Sequence, residues 1–147
     1  MRCLAVICLA LVSMAPFVSP SPAHAGSAPR GWWSDVKEID MNDLTGIEYE
    51  EGKPLPDKVM KLDGERVKIS GYMDVGTGEN AKEFRLASDN CGCNGRKVHH
   101  FVKVKLKDKT VGYSPNVVRV TGTMAVGEEK EDGYVTSIYR LEADTVE

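Results

Sequence analysis

The stretch VKISGYMDVG, Val67 to Gly76, returns fifty-one residues later as VRVTGTMAVG, Val118 to Gly127. Both copies run valine, basic residue, β-branched residue, hydroxyl residue, glycine, and both place methionine, valine and glycine at the same later positions. Two copies are too few for a solenoid. Each instead reads as one long strand, Arg66–Asp74 and Val117–Val126, with alternate residues on one face. The mid-strand glycines, Gly71 and Gly122, allow a sharp bend or a close crossing of backbones. Long, bent strands of this kind suit a small closed or partly open barrel.

Working outward, Gly76–Asn80 is a turn and Glu83–Ala87 a strand with Phe84 and Leu86 on one side. A third strand is expected over Val98–Leu106, followed by a turn at Lys107-Asp108-Lys109. The last strand covers Tyr134–Leu141, and EEKED, Glu128–Asp132, is a solvated turn before it. Towards the N-terminus, Pro56 opens a brief helix in DKVMKLDG that Gly64 stops. Ser34 is a candidate cap for a short helix with Lys37 and Glu38 in its first turns, and Val36, Ile39 and Leu44 follow helical spacing. Trp32 and Trp33 would lid one end of a small core or form a ligand platform. The expected fold is an all-β core, a small five-stranded OB-like barrel with a short helical N-terminal segment. A β-sandwich or roll is the alternative.

The first residues set the expected compartment. Arg2, the apolar run LAVICLALV and Ala23-His24-Ala25 follow the plan of a secretory signal peptide. The run is too short to remain across a bilayer. The expected organisation is a signal peptide over 1–25, a flexible and helical segment over 26–61 that packs on the barrel, and the barrel domain over 62–147. The product would be periplasmic or secreted, without stable membrane insertion. Cleavage after Ala25 removes one basic residue and no acid, so the net charge of −3 becomes −4. A negative chain has no positive surface with which to displace counterions from phosphate, which argues against nucleic acid as a partner. No carboxylate pair, nucleophile elbow or glycine-rich phosphate loop stands out. A zinc hydrolase would need a base that the sequence does not name.

The chemistry gathers in one place. Of four cysteines and three histidines, Cys3, Cys8 and His24 leave with the leader. Cys91, Cys93, His99 and His100 remain, all within DNCGCNGRKVHH, Asp89–His100. Asp89-Asn90 and Asn94-Gly95 are turn formers, and Gly92 relieves crowding between the sulfurs. Two thiolates with an imidazole are donors for Zn²⁺ or Cu⁺. Cys91, Cys93, His100 and His99 are therefore the candidate metal ligands, although C-x-C-x₅-H-H matches no common finger. Strand alternation would turn His100 inward with Val98, Val102, Val104 and Leu106, and His99 outward. The alternative is a disulfide within the loop or to a second chain, as an oxidising compartment favours. A tight Cys-x-Cys ring would be readily reduced.

LDGERVKISGYM, EFRLASDNCGC, HHFVKVKL, VRVTGTM and YRLEADTVE together resemble DUF3299, a bacterial family of extracytoplasmic proteins of unknown function. The resemblance spans Leu62 to Glu147 and is most specific at LDG, GYM and LEADTVE. It implies a cysteine-bearing loop after the second strand, with a ligand set carried onto Cys91 and Cys93. This loop lacks the prolines of that pattern. The association of some members with ABC-type transport genes implies a metal-handling accessory role beside an envelope protein or a transporter component. Three readings follow: an accessory protein holding Zn or Cu at the Cys-Gly-Cys loop, a thiol-disulfide exchange protein using Cys91 and Cys93, and a non-catalytic interaction scaffold.

Overall fold

The strands named from the repeat sit side by side. In the structure, a computed structural model that describes residues 36–91 and 97–147, β2 (Arg66–Met73) pairs antiparallel with β5 (Val117–Glu131). Val67 lies opposite Gly122 and Gly71 opposite Val118, so the first valine of each copy faces the glycine of the other. Alternate residues of both strands are buried, Val67 and Ile69 from one copy and Val118 and Val120 from the other. Each glycine has a steric reason. A Cβ on Gly122 would stand 2.2 Å from the Glu142 carbonyl oxygen and 2.8 Å from the Ala143 Cα. One on Gly71 would stand 2.7 Å from the Ala87 carbonyl oxygen. Backbones pass where a side chain would begin.

The other strands are β3 (Glu83–Ala87), β4 (Phe101–Leu106) and β6 (Tyr134–Val146). β3 pairs antiparallel with β2 and β4, β4 pairs parallel with β6, and β6 pairs antiparallel with β5. The β5–β6 hairpin turns at Asp132 and Gly133, both at positive φ (51° and 85°), as a two-residue turn requires. β5 therefore continues to Glu131. The EEKED segment, expected as a turn, is mostly strand, because Asp-Gly after it supplies the tight reversal.

The N-terminal segment departs from expectation. Lys37–Ile39 forms a strand, β1, parallel to β2 in the register Lys37↔Val67 to Ile39↔Ile69. The helix α1 (Met41–Thr45) begins only after Asp40, which stays extended and accepts the Asn42 N–H at 2.8 Å. That cap fixes the start four residues beyond Lys37. A second short helix, α2 (Asp57–Met60), follows Pro56 as expected. Trp32, Trp33, Ser34 and the leader lie outside the described residues.

β1 also corrects the expected five-stranded barrel. β5 lines one side of β2 from Arg66 to Tyr72. The other side is shared end to end by β1 over Val67–Ile69 and β3 over Tyr72 and Met73. Continuing the β2–β3 register would set Asn90 opposite Ile69, the position that Ile39 holds. β3 ends at Ala87, and the chain leaves the sheet as the cysteine loop. The result is one curled, six-stranded mixed sheet in the order β1-β2-β3-β4-β6-β5, with the added β2–β5 pairing. Among the described strands β1 pairs with β2 alone, so the sheet keeps a free edge, which a closed barrel lacks.

All these elements belong to one unit, Trp32–Glu147. Its core is built from the inward faces of β2 to β6, with Leu86, Val104, Met124, Ile138 and Leu141 fully buried. Leu44 of α1 and Val59 of α2 cover one side. The buried Tyr139 hydroxyl donates to the Leu44 carbonyl oxygen at 2.9 Å, which satisfies a helix-end acceptor inside the core. Burial of that hydroxyl holds its pKa above the ordinary tyrosine range. Among the described residues no helix is long and apolar enough to cross a membrane.

Candidate functional site

The candidate residues sit where β3 hands over to β4. The Asp89 carboxylate accepts the Cys91 N–H at 3.0 Å and bends the chain away from the strand. Cys91 is exposed and disulfide-bonded. Cys93, like Cys3 and Cys8, lies outside the described residues. The chain returns at Lys97, whose carbonyl oxygen accepts the His100 N–H at 2.8 Å in a turn. Phe101 then begins β4 opposite Ala87, and the Arg85 guanidinium lies 4.8 Å from the Phe101 ring centre.

The histidines occupy the reverse of their expected positions. His99 is 6% exposed, while His100 is only partly buried. Alternation fails here because the strand begins after them. Val98 to His100 follow a turn, and a turn has no two-residue period. The His99 ring packs against His100 at 4.3 Å between centroids and against Tyr49 at 5.7 Å. Its Nδ1 is buried without a hydrogen-bond partner. Burial, then the neighbouring His100 and Lys97 charges, lower its pKa from the usual histidine value.

Tyr49 belongs to a strap running from Gly46 to Pro56. Ile47 and Leu55 anchor its two ends against the core. Between them, Glu128 of β5 accepts the Tyr49 hydroxyl at 2.9 Å and the Gly52 N–H at 2.8 Å. Lys130 bridges Glu128 and Glu51 at 3.2 Å each. Burial, and next the hydrogen bond to Glu128, push the Tyr49 pKa up to about 12. The bonds from Gly52 and Tyr49 hold the Glu128 carboxyl below its ordinary range.

Alongside, Lys103 of β4 lies with a side chain only 13% exposed between Glu129 and Glu131, each at 3.0 Å, with Glu83 at 3.4 Å. Glu129 also accepts from Ser137 at 3.0 Å and from Lys105 at 3.3 Å. Burial disfavours both charges. The Lys103, Ser137 and Lys105 contacts outweigh it at Glu129 and bring that carboxyl down to about 2. The Glu129 and Glu131 bonds likewise raise Lys103 against its own burial. Sequence reading misses this network because it expects a turn where Glu129 and Glu131 lie in a strand.

The expected metal cluster is not found among the described residues, and Cys93, one of its four expected ligands, lies outside them. Among the described residues no three His, Cys, Asp or Glu side chains are grouped to hold an ion. A disulfide sulfur is not the thiolate that Zn²⁺ or Cu⁺ would require, and Cys91 is in that state. His99 and His100 touch each other, not a convergent set of donors. A concavity of about 310 Å³ lies at the opposite end of β3, lined by Asp74, Thr77, Glu83 and Arg85. Its Glu83 carboxylate is already engaged by Lys103 and Lys105.

No family model matches the chain, and no curated protein does. Among solved structures, a putative aspartyl-tRNA synthetase from Leishmania major Friedlin is similar over 90% of this chain but 22% of that one, at 13% identity and a TM-score of 0.41. A DUF3299 family protein from Pseudomonas aeruginosa PAO1 is similar over 76% of this chain and 94% of that one, at 19% identity and a TM-score of 0.53. The chain thus shares its fold, across most of its length, with a structurally characterised DUF3299 family protein, as the LDG, GYM and LEADTVE segments led us to expect.

Proposed function

We propose that this protein is an extracytoplasmic accessory protein that exchanges thiols and disulfides through the loop containing Cys91 and Cys93. The observation that carries the reading is the state and place of Cys91: exposed, disulfide-bonded, and held at the point where β3 leaves the sheet. The signal-peptide pattern of the first residues and a disulfide both suit an oxidising compartment. Exposed disulfides are the labile ones. In the reaction, a thiolate of an envelope protein attacks one sulfur and forms a mixed disulfide, and the other sulfur leaves as a thiolate. A second thiolate then resolves the mixed bond, and two electrons pass to this chain. Such a partner includes a component of an ABC-type transporter.

The test is thiol counting by alkylation and mass spectrometry across a glutathione redox titration of the folded mature chain. Reversible gain and loss of two thiols, abolished by Cys91→Ser, is the expected result. A disulfide that resists reduction until the protein unfolds would end the exchange reading and leave an interaction scaffold with a structural staple.

A further inference from the structure

The segment from Arg85 to His100 is basic in an acidic chain. It carries Arg85, Arg96 and Lys97 against a single acid, Asp89, while the whole sequence has a net charge of −3. Two of these cations are among the described residues, and they stand on either side of Cys91. Arg85 lies on the strand that leads into the loop, and Lys97 is exposed where the chain returns. Arg85 points outward, because Phe84 and Leu86 beside it are buried. Its partner across the ladder is Lys103, yet its guanidinium lies 4.8 Å from the ring centre of Phe101, which pairs with Ala87, two residues nearer the loop. The side chain therefore leans along the outer face towards Cys91. An aromatic face holds a guanidinium without neutralising it, so its charge and its N–H donors stay available to a ligand.

The carboxylates that could cancel these charges are committed elsewhere. Glu83 faces Lys103 and Lys105, Glu129 and Glu131 hold Lys103, and Glu128 and Glu51 share Lys130. Asp89 accepts the Cys91 N–H. Among the described residues neither Arg85 nor Lys97 is in an ion pair. We propose, resting on the exchange at Cys91 argued above, that the loop selects an anionic thiol: its substrate is an envelope-protein cysteine flanked by carboxylates, drawn in by Arg85 and Lys97. The substrate thiolate attacks one sulfur of the Cys91 disulfide and forms the mixed disulfide, and the displaced sulfur leaves as a thiolate. A second substrate thiolate resolves the mixed bond, so the substrate pair loses two electrons and this chain gains them. The fixed cations act on the approach. They concentrate an acidic partner at the loop and repel a basic one, an effect on rate that salt screens.

Blocked tripeptides that set one cysteine between two glutamates, two glutamines or two lysines test this on the folded mature chain at one pH. The second-order rate of disulfide reduction by each peptide is divided by its rate with the uncharged disulfide of mercaptoethanol, which cancels differences between the thiols themselves. At low ionic strength the glutamate peptide should react roughly tenfold faster than the lysine peptide. At about 1 M salt, where the screening length is about 3 Å, the ratio should approach one. Arg85→Gln and Lys97→Gln should each lower the ratio several-fold, and Arg85→Lys should keep most of it. Lys109→Gln, beyond the far end of β4, should leave it unchanged. A variant that only loosens the loop moves all three rates together, so an unchanged ratio in Arg85→Gln would overturn the role of Arg85. Exchange that proceeds with a ratio of one at low salt would overturn the anionic preference alone. A disulfide that none of the peptides reduces in the folded chain would overturn it together with the exchange reading.

Discussion

Single positions in this protein are decided by what lies within one atom's radius of them. Gly122 and Gly71 occupy equivalent places in the two repeats, but their neighbours differ. Beside Gly122 the three nearest atoms are all β6 backbone, at 2.2 to 2.8 Å from a Cβ. At Gly71 the nearest atom is also backbone, the Ala87 carbonyl oxygen, but it stands farther off at 2.7 Å, and the other two belong to the buried Leu86 side chain. Gly122→Ala should cost about 3 kcal/mol or more, and Gly71→Ala about 1–2 kcal/mol, the range for overpacking. Urea denaturation with an unchanged slope checks the order, and equal losses would contradict it. The glycines were legible in the sequence because a glycine inside an alternating run is conspicuous. His99 was not, because its burial follows from where a turn ends, and the alternation that marks β4 gives no warning of its first residue.

At the level of elements, strength of period decided what could be read. β2, β5 and most of β4 alternate over five or more residues, β3 over four, and β6 over its second half, and the sequence shows a strand at each. β1 spans three residues, Lys37–Ile39, too few to show a period, and its surroundings mimic helical spacing. Its identity is set by the vacant side of β2, which is a tertiary fact. Ile39 is its one buried side chain. Ile39→Ala should cost about 2 kcal/mol, the low end for a large-to-small change, because the site lies at an edge. Amide exchange should accelerate across Lys37–Ile39 and leave the β5–β6 ladder protected. Uniform acceleration through every strand would show that β1 is integral to the whole sheet.

For the molecule as a whole, the Lys103 network shapes the response to acid. The Glu129 carboxyl is brought to about 2 from an ordinary 4.5. A lowered carboxylate contributes stability that is complete above the ordinary value and is lost as pH falls through the folded value. Stability should therefore decline between pH 4.5 and pH 2. Lys103→Met removes the chief partner and leaves Glu129 with Lys105 and Ser137. The variant should be less stable at neutral pH, and its loss between pH 4.5 and pH 2 should be smaller than in the parent. Thermal denaturation across that range measures both, and parallel curves would exclude the network as the cause.

The pairing of β2 with β5 carries a consequence for how the chain can be rewritten. Opposed runs that meet valine to glycine at both ends are related by a local dyad through the Ile69–Val120 pair. Transposing the runs Val67–Gly71 and Val118–Gly122 would keep valine opposite glycine at both ends of the ladder. Within this ladder either repeat meets the needs of the other, and what tells them apart lies beyond it, where β5 alone runs on into the hairpin with β6.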